Sequence, residues 1–152
     1  AVVFCHNDQV PGVSASLDGL FHRMALLIWQ KTTPMPVANK HYFPELEIYF
    51  HAWNRGYHPQ GELADLKRVF ACRSRALKDF GHPTVKPDEL MNKIIRNVAG
   101  QSISDPFMGT GSTGVAAVRA GRTFTGIEHN PTHFATACAL IEAAWQELQV
   151  AT

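Results

Sequence analysis

No apolar run in this sequence approaches the roughly 20 residues that a membrane-spanning helix requires. "MALLIWQ" is too short and reads as a buried strand. No positively charged stretch followed by an apolar one opens the chain, so no leader segment is expected. The chain does not begin with Met but directly on "AVVFC", as if entered at a core strand. Cysteine is scarce: Cys5, Cys72 and Cys138 are far apart and form no C-x-x-C pair. That excludes a disulfide framework and a clustered zinc site, and it fits a reducing, cytoplasmic setting. Eight histidines are present but none forms H-E-x-x-H, so no metal is expected. Net charge is also lacking, at +1, and says nothing by itself about nucleic acid.

The 152 residues, 45% hydrophobic and 18% charged, suit one domain built on one core. No internal repeat or low-complexity segment appears. The charge is unevenly placed. Lys67, Arg68, Arg73, Arg75 and Lys78 occur between Leu66 and Lys78 with no acid among them.

The pattern predicts a buried strand over 1–5, polar turns over 6–15 and a short helix over Ser16–Arg23 with Leu17, Leu20 and Phe21 on one face. A strand follows over 25–31. Pro34, Pro36 and Pro44 make 32–44 a loop, and "LEIYFHAW" at 46–53 alternates as a third strand. Residues 54–81 read as irregular with a short helix. Asp88–Ala99 reads as a helix entered at Pro87, with Leu90, Met91, Ile94, Ile95 and Val98 as its apolar stripe. A short strand over 102–104 leads into a glycine loop. A helix over Thr113–Ala120 ends at Gly121, a strand spans 123–128, and Asn130 caps a long helix with Pro131 in its first turn. Phe134, Cys138, Ile141, Trp145 and Leu148 are expected to face one way on that helix. Strands alternating with helices imply an α/β sheet.

The chemistry centres on "SDPFMGTGSTGVAA", Ser104–Ala117. Gly109, Gly111 and Gly114 fit G-x-G-x-x-G. A phosphate-binding P-loop would follow its last glycine with Lys and Ser or Thr; Val115 stands there. A dinucleotide fingerprint fits better, with Glu128 as the acid 17 residues after Gly111. Two features argue against it. Asp105 would repel a pyrophosphate, yet it suits an ammonium or sulfonium ligand. Only 24 residues follow Glu128, so the rest of the sheet must precede the loop in a permuted order. S-adenosylmethionine fits: its amino group and sulfonium are cationic, and its ribose diol can donate to Glu128.

"DPFMGTGSTGVAA", preceded by "HPTVKP" (82–87) and followed by "GIE" (126–128), resembles the amino-methylating DNA methyltransferases. The order resembles their permuted beta class, and the likeness covers most of the chain. It implies a Rossmann-like α/β fold, circularly permuted and incomplete here, and transfer from S-adenosylmethionine to adenine N6 or cytosine N4 in double-stranded DNA, in a restriction-modification setting. By this likeness Asp105, Pro106, Phe107, Gly109 and Gly111 form the cofactor loop. Ser112 and Thr113 donate to the methionine end, Thr84 and Lys86 approach from the adjacent loop, and Glu128 takes the ribose hydroxyls. Three of these have plainer alternatives: Phe107 as a core plug, Lys86 as a surface lysine, Glu128 as an idle strand-end acid. Lys67, Arg68, Arg73, Arg75 and Lys78 fall in the target-recognition region and are expected to contact DNA phosphates.

The family also uses an Asp, Asn or Ser followed by Pro-Pro and an aromatic, to orient the target amine and stack the flipped base. No such tetrapeptide occurs. The strands here resemble the fifth, sixth, seventh, first and second of the family's sheet, so an open edge is expected. One methyltransferase domain over 1–152 is expected: 1–53 a remnant of the catalytic half, 54–81 a short recognition segment, 82–152 the cofactor half. An upstream segment or a second chain would complete the sheet. A non-catalytic cofactor- or DNA-binding module is the alternative, and a nicotinamide oxidoreductase is third.

Overall fold

The alternating, β-branched and aromatic run "LEIYFHAW" becomes β3 (Leu46–Trp53), the centre of a four-stranded sheet. A computed structural model describes residues 1–34, 42–74, 85–98 and 100–150. Two compact units are present, Ala1–Ser74 and Arg75–Thr152.

In the first unit, β3 pairs antiparallel with β1 (Val2–Cys5) on one side and β2 (Arg23–Lys31) on the other. β4 (Val69–Cys72) then lies parallel to β2, giving the order β1-β3-β2-β4. One face of the sheet carries Val3, Cys5, Met24, Leu26, Phe50 and Ala52. It packs on Val10, Val13 and Leu17 of α1 (Val10–Asp18) and on Phe21. Strand alternation puts Tyr49, Leu27 and Trp29 on the opposite face, where they are also buried.

Two expectations for this unit are corrected. The helix does not run over Ser16–Arg23. His6 instead caps a 3-10 turn at Asn7–Gln9 that leads straight into α1. Pro11 sits in the first turn of α1, where a missing N–H costs nothing, so Pro-Gly opens a helix here instead of a bend. Leu17 and Phe21 face the core as expected, but Leu20 lies past the helix end and is exposed. Residues 54–81 are also not wholly irregular. β4 is held by the N–H of Ile28 donating to Arg68 O at 2.8 Å and that of Thr32 to Cys72 O at 3.2 Å.

The second unit holds α2 (Asp88–Asn97), β5 (Ser102–Asp105), α3 (Ser112–Arg119), β6 (Thr123–Gly126) and α4 (Pro131–Val150). β5 and β6 pair in parallel, with Asp105 opposite Gly126 at their C-terminal ends. Leu90, Met91, Ile94 and Ile95 of α2 are buried, as their spacing requires. Gly121, at φ +69°, follows the end of α3. Asn130 caps α4, its Oδ1 accepting from the N–H of Thr132 at 2.9 Å and of His133 at 3.2 Å.

The row of α4 residues that faces one way is not as a whole its buried side. Ala137 and Ala144 are buried, and Leu140 and Ile141 pack on Val115 and Val118 of α3. Phe134, Cys138 and Trp145 are exposed. The cause is the closeness of the two helices. A Cβ on Gly111 would lie 2.9 Å from Ala137 Cβ, so only small side chains fit at that crossing. Among the described residues no helix is long and apolar enough to cross a membrane.

Candidate functional site

Parallel pairing brings the C-terminal ends of β5 and β6 side by side, and each delivers one carboxylate. The ladder continues beyond the strands: Ile127 N–H donates to Asp105 O at 2.9 Å, and Met108 N–H to Ile127 O at 3.0 Å. Those bonds draw the glycine loop over the ends of both strands.

Asp105 closes the loop from within. Its Oδ1 accepts from the Phe107 N–H at 3.0 Å, and its Oδ2 accepts from the Thr113 hydroxyl at 2.6 Å. The first is the local turn that aspartate side chains favour. The second crosses to the first turn of α3, where the helix dipole favours a negative charge. Glu128 closes the loop from β6. Its Oε2 accepts from the Gly109 N–H at 3.0 Å and its Oε1 from the Asn130 N–H at 2.8 Å. These contacts hold its carboxyl below the ordinary carboxylate value. The Asn130 N–H has the largest effect, partial desolvation opposes it, and the Gly109 N–H and the charge of His133 add to it. Glu128 is thus engaged by the loop.

The glycines of the loop serve different ends. Gly109 has φ +55°, and a Cβ there would meet no atom within 4 Å. Gly111 has φ +86° and is pressed against Ala137. Gly114 is helical, but its Cβ would overlap Ile141 Cδ1 and lie 2.7 Å from the Phe124 ring. Gly126 admits no side chain because Met108 Sδ and Phe124 occupy the space. Only Gly109 therefore faces open room; the others are demanded by packing.

Phe107 is 87% exposed, which rules out a core plug. Ile127, 62% exposed and next to Glu128, was missed in the sequence. The Met108–Ile127 bond sets these two bare apolar residues at the same end of the sheet. Their signal was an apolar residue within two positions of each acid: Phe107 two after Asp105, Ile127 directly before Glu128. Pro106 is exposed, and Ser112, half-buried, is the first residue of α3. Lys86 is half-buried just before α2. Thr84 lies outside the described residues. So do Arg75 and Lys78. Lys67 and Arg68 are exposed just before β4, and Arg73 is exposed just after it. A groove of about 180 Å³ runs between α2, α3 and α4, from Thr110 and Ser112 past Val115, Leu140 and Ala144. Arg119 bonds both Asp88 and Glu147 there.

The site thus offers two carboxylates, a helix N-terminus, an unencumbered glycine and two exposed apolar side chains. Comparison with known proteins gives the same direction. Residues 51–138 match the N6_N4_Mtase family model, described as DNA methylase. The chain is 33% identical over 156 aligned residues to the Type II methyltransferase M2.DpnII of Streptococcus pneumoniae, covering 91% of this chain and 58% of that protein. It is 31% identical to the Type II methyltransferase M2.LlaDCHI of Lactococcus lactis subsp. cremoris, covering 81% of this chain and 52% of that one. The crystal structure of the M1.HpyAVI–SAM complex superposes with a TM-score of 0.77 at 26% identity, over 92% of this chain and 72% of that one. The chain spans a little over half the length of the two curated relatives.

Proposed function

The chain belongs to the N6/N4 DNA methylase family, and from that premise we propose that it carries the S-adenosylmethionine-binding part of an amino-group DNA methyltransferase. One observation carries the proposal. Asp105 and Glu128 stand at adjacent strand ends, bracketing a glycine loop that opens α3. Two acids in that position favour a ligand with a cationic end and a hydroxyl-bearing sugar, and they disfavour a pyrophosphate.

In this reading Asp105 faces the cationic amino-acid end of the cofactor. The first turn of α3, with Ser112, receives its carboxylate. Glu128 accepts from the ribose hydroxyls, its ionised form already favoured. Gly109 allows close approach of the ligand to the backbone, and Phe107 and Ile127 offer apolar contact to the base. Thr84 and Lys86 approach from the segment before α2. When bound, the cofactor supplies an electrophilic methyl group for an exocyclic amine, adenine N6 or cytosine N4. The transfer is direct and needs no covalent enzyme intermediate; none of the three cysteines is used as a nucleophile.

The same proposal takes double-stranded DNA as substrate and partner, with Lys67, Arg68, Arg73, Arg75 and Lys78 on phosphates. β4 separates Lys67 and Arg68 from Arg73 by a four-residue strand, about 13 Å of chain. Such spacing suits a row of phosphates better than one base. The residues form one methyltransferase domain, with 1–53 from the catalytic half, 54–81 for target recognition and 82–152 for the cofactor, and the protein works in the cytoplasm. The amine-orienting tetrapeptide is absent from this sequence, so another segment or chain supplies that group. The isolated 152 residues then act as a cofactor-binding module with little or no methyl transfer of their own.

Calorimetry tests the proposal. The chain is expected to bind S-adenosylhomocysteine, and Asp105→Ala to weaken that binding severely, with no heat from NAD. NAD binding without a response to S-adenosylhomocysteine would overturn it in favour of a nicotinamide site.

A further inference from the structure

Thr113 stands where a hydroxyl could donate to the carboxylate of a bound amino acid. The structure gives that proton another use. The Thr113 Oγ1–Asp105 Oδ2 distance of 2.6 Å lies in the range of a charge-assisted O–H···O⁻ bond. A hydroxyl has one proton, so while this bond stands Thr113 donates to nothing else. Asp105 is meanwhile fixed at both oxygens, by the Phe107 N–H and by Thr113. Each oxygen accepts one bond and keeps capacity for a second. The carboxylate is therefore oriented before any ligand arrives, with room left to accept from a cation.

We infer that Thr113 is a positioning residue: it orients Asp105 and so sets selectivity for ligands that carry a cationic amino-acid end. The inference rests on the cofactor reading above and goes beyond it by moving Thr113 from ligand contact to carboxylate orientation. Donation to the ligand's own carboxylate then falls to Ser112 and the first-turn N–H groups of α3. Neither the short contact nor its consequence is visible in the sequence, where the two residues stand eight apart.

The test compares two ligands on the whole chain. S-adenosylhomocysteine carries the amino-acid end; 5′-methylthioadenosine keeps the nucleoside and thioether but lacks that end. Thr113→Val is expected to weaken S-adenosylhomocysteine about ten-fold, the scale of one hydrogen bond to a charged group, and to leave 5′-methylthioadenosine within about two-fold. Thr113→Ser, which keeps the hydroxyl, should restore the parent's affinity. In an Asp105→Asn background Thr113→Val should add little further loss, because its effect passes through Asp105. Equal weakening of both ligands would make Thr113 a plain structural residue and overturn the inference. Additive losses with Asp105→Asn would make it a direct ligand donor and overturn it too, as would an unchanged affinity. If the parent chain binds neither ligand, the cofactor reading itself fails and this inference falls with it.

Discussion

Among the described residues two glycines lie within helices, and replacing each by alanine should move stability in opposite directions. Gly12 in α1 has no atom within 4 Å of the place a Cβ would take. Alanine there gains helix propensity and restricts the unfolded chain, for about 0.5–1 kcal/mol of added stability. Gly114 in α3 has the same helical backbone, so the same gain applies. Its Cβ, however, would overlap Ile141 Cδ1 and sit 2.7 and 2.8 Å from two Phe124 ring atoms. Overpacking of a filled site costs about 1–3 kcal/mol. The expected balance for Gly114→Ala is a loss of about 1–2 kcal/mol. Ile141→Val removes the overlapped Cδ1 atom and should cost about 0.5–1.5 kcal/mol alone. Combined with Gly114→Ala, it should recover part of the loss, with a favourable coupling near 1 kcal/mol. Urea midpoints of the four variants and the parent measure this directly. If Gly114→Ala raised stability as Gly12→Ala does, the claim that packing between α3, α4 and β6 dictates this glycine would be refuted.

Glu128 is held ionised by N–H groups, so its folded-state carboxyl titrates below the ordinary value of 4.5. Its stabilisation is complete above that value and is lost as pH falls through the lowered one. The gap in urea midpoint between the parent and Glu128→Gln should be constant from pH 7 to about 5 and narrow on further acidification; a widening gap would contradict the assignment. Tyr49 Oη is buried with no hydrogen-bond partner among the described residues, and burial, helped by Cys72, pushes its phenol up to about 12. Tyr49→Phe keeps the ring stacked on Phe4 and should leave stability equal or about 1 kcal/mol higher, while a clear loss in thermal unfolding would reveal a hidden partner. For DNA, five phosphate contacts would give a slope of log affinity against log salt near −4.5, and the expectation is roughly −2 to −4 because not all five can face one duplex. Arg73→Ala with Arg75→Ala should flatten it by up to about 2 for all sequences alike; an unchanged slope in filter binding would place the DNA surface elsewhere.

The elements that repeat a strong local period were legible. β2, β3, α2 and the β5–loop–α3–β6 succession stand within a few residues of the sequence reading, because alternation, capping and glycine placement agree there. β4 was missed because four residues flanked by Lys67, Arg68 and Arg73 look like part of a basic surface; its strand character comes from pairing with β2. α1 was displaced because Pro11-Gly12 reads as a turn unless it falls in a first helical turn. The side of α4 that is buried was not legible from its apolar row. Ala137 is inside because Gly111 lets the helices approach closely, and Ala144 packs on Val115 and Val118 of α3, while Phe134 and Trp145 are exposed. At the site, residue types and spacing pointed to a cationic, sugar-bearing ligand. The bond from Gly109 to Glu128 depends on the parallel pairing of β5 and β6, and that from Thr113 to Asp105 on the fold of the loop between them, neither of which a local pattern specifies.

In the proposed function the loop between β5 and α3, with Glu128, holds the cofactor. Backbone amide spectra of the isotopically labelled chain, titrated with S-adenosylhomocysteine, address it residue by residue. The amides of Phe107 and Gly109 donate to Asp105 and Glu128, and that of Asn130 donates to Glu128. Any ligand that engages the two carboxylates must perturb these three. Saturable shifts are expected at Phe107, Gly109 and Asn130 and at the first turn of α3, with Val69 and Phe70 of β4 unmoved. Shifts confined to the groove around Asp88, Arg119 and Glu147, or no saturable shift at all, would contradict it.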